Sequence, residues 1–152
     1  MKLSAMCSKA EYSSGDIIRK MKLWQLTEEA QHRILKRLTN EKYVDDERFC
    51  RSFIHEKICF DKWGRRKIET ALYNKGIGKN IYTPILDEIP DEKYTAVLRG
   101  LLTAKRKNIK ARNDYELNGK LIRYALGRGF GMNIIRQCTD YDECYDTGDD
   151  ED

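Results

Sequence analysis

The sequence predicts an all-α fold, an elongated array of three tandem three-helix modules. Three observations carry this reading. Apolar residues recur at spacings of three and four along most of the chain. No alternating apolar and polar run reads as a strand. One apolar skeleton also occurs three times. Ile17, Met21, Leu26, Ala30 and Ile34 align with Ile68, Leu72, Ile77, Ile81 and Ile85 at a constant offset of 51, and these with Leu121, Ala125, Phe130, Ile134 and Cys138 at a further 53. The modules are expected at residues 1–40, 41–89 and 90–139, with a disordered acidic tail at 140–152. Each module is too small to bury its own core well, so the copies should stack.

In the first module a short leading helix is expected over about Leu3 to Ala10. The second module is the clearest. Phe49, Cys50, Phe53, Ile54 and Ile58 form one stripe of an amphipathic helix from Asp46 to Cys59. Asp45, Asp46 and Glu47 stand at its start, one Asp as N-cap and the others where negative charge meets the positive end of the helix dipole. Asp61 to Gly64 breaks the pattern, and a helix starts near Arg65 with Gly64 as its cap. It carries Ile68, Ala71 and Leu72 on one side and stops at Gly76, which adopts the left-handed C′ conformation at little cost. Pro84 then either starts the next helix with Thr83 as cap or kinks it, and a short or kinked helix is expected. In the third module Tyr94, Val97, Leu98, Leu101 and Leu102 mark a helix from about Asp91 to Lys107, with Pro90 suited to its first turn. The turn before the last helix of each module is Trp24-Gln25-Leu26-Thr27, Lys75-Gly76-Ile77-Gly78 and Arg128-Gly129-Phe130-Gly131, so the first copy has lost both glycines.

At 152 residues, 40% hydrophobic and 36% charged with two prolines, the chain suits a helical protein able to bury one core or a few stacked small ones. Its net charge of +4 hides an asymmetry. Asp140 to Asp152 holds eight acidic residues and no basic one, so residues 1–139 carry 29 Lys and Arg against 17 Asp and Glu, a net of +12. A body this basic points to a polyanionic partner, and the tail is expected to compete with that partner by lying on the basic face. No run of about 18 apolar residues and no signal-peptide core is present, so a cytoplasmic location without membrane contact is expected. Cys7, Cys50, Cys59, Cys138 and Cys144 are odd in number and lack a C-x-x-C pair, which reads as reduced, mostly buried small hydrophobes.

No catalytic or metal constellation stands out, and no cofactor is expected. His32 and His55 have no evident ligand partner, and both lie in charged helical sequence. Gly127 to Gly131 and Gly76 to Lys79 resemble phosphate loops, but both follow helices rather than strands, so helix C-caps are the better reading. What remains is two basic clusters. Arg65, Arg66, Lys67, Lys75 and Lys79 lie in the central module, the first three on a solvent side, and Lys105, Arg106, Lys107, Lys110 and Arg112 lie in the stretch KRKNIKARN of the last. Trp63 and Tyr73 lie among the first group, as aromatics do in single-strand grooves, although Trp63 also suits a core. The bland alternative is a solvated charged face.

Val44-Asp45-Asp46-Glu47-Arg48-Phe49, then Trp63-Gly64-Arg65-Arg66-Lys67-Ile68 leading to Leu72, and Lys75-Gly76-Ile77 resemble the central signature of the bacterial RecX regulatory family. The run from Lys120 to Phe130 resembles its C-terminal module, and the resemblance covers about Ala5 to Cys138. It implies a non-enzymatic, monomeric modulator of the RecA recombinase that binds the filament on single-stranded DNA and most often inhibits its growth and ATPase activity. Members of the family usually carry a Gly where this chain has Trp24-Gln25-Leu26, and no Pro at the position of Pro84. The rival from another class is a helix-turn-helix DNA-binding regulator, for which one three-helix unit would suffice.

Overall fold

The computed structural model describes residues 2–139. Those residues form α1 (Lys2–Lys9), α2 (Ser14–Leu23), α3 (Glu28–Asn40), α4 (Asp46–Cys59), α5 (Arg65–Asn74), α6 (Lys79–Asp87), α7 (Asp91–Arg106), α8 (Asp114–Gly127) and α9 (Met132–Cys138), with no strand among them. No helix among the described residues is long and apolar enough to cross a membrane. The fold is all-α and tandem, as the periodicity requires. The chain forms two compact units, one holding the chain up to Ile54 with Glu69–Asp87, the other His55–Ile68 with the chain from Glu88 onward. Both boundaries between them in the central region fall inside helices, α4 and α5.

Helix starts follow local chemistry. Ser13 and Asp16 form a capping box at α2, Thr27 caps α3 through the N–H of Ala30, and Asn113 caps α8 through the N–H of Glu116. Asp45 is the N-cap of α4, accepting from the Arg48 N–H at 3.1 Å. Asp46 acts over a longer range. It accepts from the Ser14 N–H at 2.7 Å and the Ser14 hydroxyl at 2.6 Å, tying the start of α4 to the start of α2. Beside that junction, Leu3, Ile17, Met21, Leu38 and Val44 form a buried cluster that α1 closes. None of the fifteen skeleton positions is exposed, and ten of them, from Ile17 to Ile134, are buried.

The helix around Pro84 is short, as expected, but the alternative start at Thr83 is excluded, and the place of Pro90 is corrected. Helix α6 starts at Lys79 rather than at Thr83 and runs on through Pro84, whose missing N–H falls within a helix of nine residues. Thr83 caps nothing, and its hydroxyl is buried without a hydrogen-bond partner. Pro90 is the N-cap of α7 rather than a first-turn residue, and its extended ψ of 150° delivers the chain into the helix.

Within each unit a glycine turn leans on the start of an earlier helix. In the first unit the turn at Lys75-Gly76 meets the start of α2, where the Ser13 hydroxyl donates to the Lys75 carbonyl at 3.3 Å. A Cβ on Gly15 would lie 2.0 Å from that carbonyl oxygen. In the second unit the turn at Arg128-Gly129 meets the start of α5, where the N–H groups of Gly64 and Arg66 donate to the carbonyls of Arg128 and Gly129 at 2.9 and 3.0 Å. These are first-turn N–H groups with no partner inside their own helix, so the docked turn satisfies them. Arg128 returns the contact, its guanidinium donating to the carbonyls of Asp61 and Lys62. Helix α8 cannot receive a further turn in this manner. Aligned by the repeat, the position of Ser13 and Gly64 is Leu117, but α8 begins three residues before it, and the Leu117 N–H is already bonded to the Asn113 carbonyl at 3.1 Å.

Gly76 and Gly129 take φ of +82° and +95°. The first module keeps that left-handed conformation without the glycine, since Gln25 has φ of +59°. A side chain there costs roughly 1 kcal/mol relative to glycine. Replacing Gln25 by Gly should therefore raise the unfolding free energy by about 0.5–1 kcal/mol, read as a higher urea midpoint with an unchanged slope. A lower midpoint would show that the Gln25 side chain stabilises the turn by more than its backbone strains it.

Candidate partner and nucleic-acid interface

Four of the five cations of this first cluster stand at helix starts, against the usual electrostatics. Arg65, Arg66 and Lys67 fill the first turn of α5, which has no acidic residue, and Lys79 is the first residue of α6, likewise without one. Helices α2, α3, α4, α7 and α8 all carry Asp or Glu there. Positive charge at the positive end of a helix dipole is unfavourable by a few tenths of a kcal/mol per residue, about the reverse of the usual gain. Sequences break such local rules chiefly where function requires it.

The solvent side expected for Arg65, Arg66 and Lys67 is corrected at Arg65 and Lys67. Lys67 is half-buried, with its ammonium 4.7 Å from the centre of the Trp63 ring and its Cβ beside Gly129. Lys57 sits 4.8 Å from the same ring and pairs with Asp61 at 2.7 Å, so Trp63 is held by two cations and is not an open stacking platform. Lys75 is half-buried within the first unit: its ammonium lies 3.7 Å from Asp16 and 5.5 and 5.8 Å from the rings of Phe49 and Phe53. Cation–π contacts of this kind contribute about 0.5–2 kcal/mol each. Arg66 and Lys79 are exposed and Arg65 is half-buried. Arg65 and Arg66 are each also engaged within the protein. Arg65, Arg66 and Lys67 fall in one compact unit and Lys75 and Lys79 in the other. Tyr73 remains 71% exposed, the one aromatic of the cluster open to stacking on a base.

Parts of the second cluster contact the helices on either side of it. Lys105 and Arg106 end α7, and Lys105 lies 5.0 Å from the Tyr124 ring. The Lys110 carbonyl accepts from the Lys120 ammonium at 2.6 Å, and Arg112 pairs with Glu116 at 3.0 Å. Hydrogen bonds from Arg112 and Lys120 hold the Glu116 carboxyl below its usual range. Arg106 and Lys107, with Arg99, Leu102, Thr103 and Cys138, line an open cavity of about 650 Å³. Arg99 is the residue that sequence reasoning missed. The signal was present, because positions 99, 102, 103 and 106 share one helix face.

Among the described residues no group of three or more His, Cys, Asp or Glu could hold a metal ion. His55 does have a cysteine neighbour, contrary to expectation: the i,i+4 spacing places its Nδ1 3.7 Å from the Cys59 sulfur. Cys7, Cys50, Cys59 and Cys138 are free thiols, of which only Cys50 is fully buried, and that burial pushes its thiol up to about 11. The expectations for Cys144 and for the acidic tail lie outside the described residues.

Family models place this geometry. The model for the second three-helix domain of RecX matches residues 45–82, and that for the third matches residues 91–139, together more than half of the chain. The chain belongs to the RecX family. It is 29% identical over 124 residues to the regulatory protein RecX of Finegoldia magna, an alignment covering 80% of this chain and 60% of that one. With the RecX of Acinetobacter baylyi it shares 29% over 131 residues, 86% of this chain and 79% of the relative. The chain spans only 41% of the RecX of Oceanobacillus iheyensis. Two crystal structures, one of a regulatory protein RecX and one of RecX from Lactobacillus salivarius, superpose with TM-scores of 0.83 and 0.80 over 92% and 90% of this chain. They cover 72% and 89% of those chains at 22% and 19% identity, which shows a shared RecX fold.

Proposed function

We propose that this chain is a non-enzymatic regulator that binds the RecA recombinase filament on single-stranded DNA and inhibits its ATPase and recombinase activities in DNA repair and the SOS response. The observation that carries the reading is the placement of Arg65, Arg66 and Lys79 in the first turns of α5 and α6, within a chain of the RecX family. Helix starts loaded with cations favour anions twice over, through side-chain charge and through the positive end of the helix dipole. The partner is then the phosphate of the bound strand or an acidic surface of the recombinase. We assign the modules to residues 1–40, 41–89 and 90–139 and take the acting form to be a cytoplasmic monomer. The test is single-stranded-DNA-dependent ATP hydrolysis by the recombinase of the same organism, with and without this protein. A fall in hydrolysis with rising protein supports the reading. An unchanged rate, with tight binding to duplex DNA alone, would favour the helix-turn-helix alternative instead.

A further inference from the structure

Cys59 is the last residue of α4, and His55 stands one turn before it. The imidazole is exposed and the thiol half-buried, so both are within reach of a small reagent. The His55 Nδ1 lies 3.7 Å from the Cys59 sulfur, and in the tautomer that carries its proton on Nε2 it accepts the thiol S–H. A nucleophile within hydrogen-bond reach of a base is the arrangement that activates a cysteine. Both residues belong to the same compact unit. The other described thiols are held back. Burial pushes Cys50 up to about 11 and raises Cys7 and Cys138, with the Glu11 carboxylate adding to the effect at Cys7. Cys138 also donates to the Thr95 carbonyl at 3.6 Å.

We propose that His55 and Cys59 form a thiol–imidazole pair that exchanges with low-molecular-weight disulfides, making Cys59 a site of reversible S-thiolation. The S–H proton passes to Nδ1, and the Cys59 thiolate attacks one sulfur of the disulfide. A new S–S bond forms as the old one breaks, and the departing thiolate takes the proton from the imidazolium. One protein thiol and one small disulfide become a mixed disulfide and one small thiol, and an excess of small thiol reverses the step. The base is needed because Cys59 sits at the negative end of the α4 dipole, where a thiolate is disfavoured and an adjacent imidazolium offsets the penalty. Phe60, 74% exposed, and the exposed Lys62 follow directly in the chain, so a reagent that bears carboxylates meets a cation there. The proposal stands on the pair alone, independently of the recombinase reading.

Glutathione disulfide tests it, offered to the reduced full chain carrying Cys144→Ser, with neither recombinase nor DNA added. Peptide mapping by mass spectrometry reads the rate at each remaining thiol. Near pH 7, Cys59 should react at least about tenfold faster than Cys7, Cys50 or Cys138. An unassisted thiol is only a few per cent ionised there, so His55→Ala should slow Cys59 by about tenfold. The gap should narrow severalfold at about pH 9.5, where a thiol ionises without a base. His55 is exposed, so its replacement leaves the fold intact, which circular dichroism checks. The proposal is overturned by equal rates at Cys59 and at Cys7 or Cys138. An unchanged Cys59 rate in His55→Ala near pH 7 overturns it too, as does a gap that stays as wide at the higher pH.

Discussion

Gly129→Ala and Gly64→Ala should each lower the unfolding free energy by about 3 kcal/mol or more, the largest single-residue effects outside the apolar core. A Cβ on Gly64 would lie 2.3 Å from the Phe130 nitrogen and 2.4 Å from the Gly129 carbonyl carbon. These are backbone atoms, which no side-chain rotation can relieve. At Gly129 two penalties act together, because its φ of +95° strains any side chain and a Cβ would meet the Lys67 Cβ at 2.4 Å and the Lys67 nitrogen at 2.7 Å. Either substitution forces the turn away from α5 and returns the Gly64 and Arg66 N–H groups to an unsatisfied state. Urea unfolding followed by circular dichroism measures the loss. Gly100→Ala and Gly119→Ala are the matched opposites. Both lie within helices with nothing within 4 Å of the added carbon, so each should stabilise by about 0.5–1 kcal/mol. A neutral Gly64→Ala would mean that the turn and the start of α5 separate without cost, and that their docking adds nothing to stability.

The second large effect is functional. Replacing Arg65, Arg66 and Lys67 together by Ala should weaken inhibition of the recombinase ATPase more than replacing Lys105, Arg106 and Lys107. The cations of α5 stand at a helix start, where side-chain charge and the positive end of the dipole act together on an anion, whereas Lys105, Arg106 and Lys107 stand at the C-terminal end of α7. Because Lys67 also holds Trp63, the double replacement of Arg65 and Arg66 separates lost partner contact from lost packing. Two charge-assisted contacts at about 1.5 kcal/mol or more each correspond to at least roughly a hundredfold higher concentration for half inhibition. If the contacts are to single-strand phosphate, each one lost should also reduce the logarithmic salt slope of binding by about 0.7. Greater damage from the Lys105, Arg106 and Lys107 triple, with both variants folded, would move the interface to the end of α7.

Much of the architecture was legible because its causes are local. The stripe of Phe49, Cys50, Ile54 and Ile58, the cap at Asp45 and the stop at Gly76 depend on residues within about four positions of each other. The repeat was legible for the same reason, since equal spacing of apolar residues yields equal helices. It even marked Gln25 as the place of a missing glycine, where the backbone still takes the left-handed turn. What only the tertiary structure decided is which polar residues are free to act. Lys75 lies against Asp16, 59 positions earlier in the chain, and Arg128 reaches the carbonyl of Asp61, 67 positions before it. A lysine has the same charge and helix periodicity whether it meets solvent or an aromatic ring. Its sequence neighbours carry no record of the partner that folding brings. The groove of Arg99, Arg106, Lys107 and Cys138 has the same origin, because α7 and α9 become neighbours only when the chain between them has folded back.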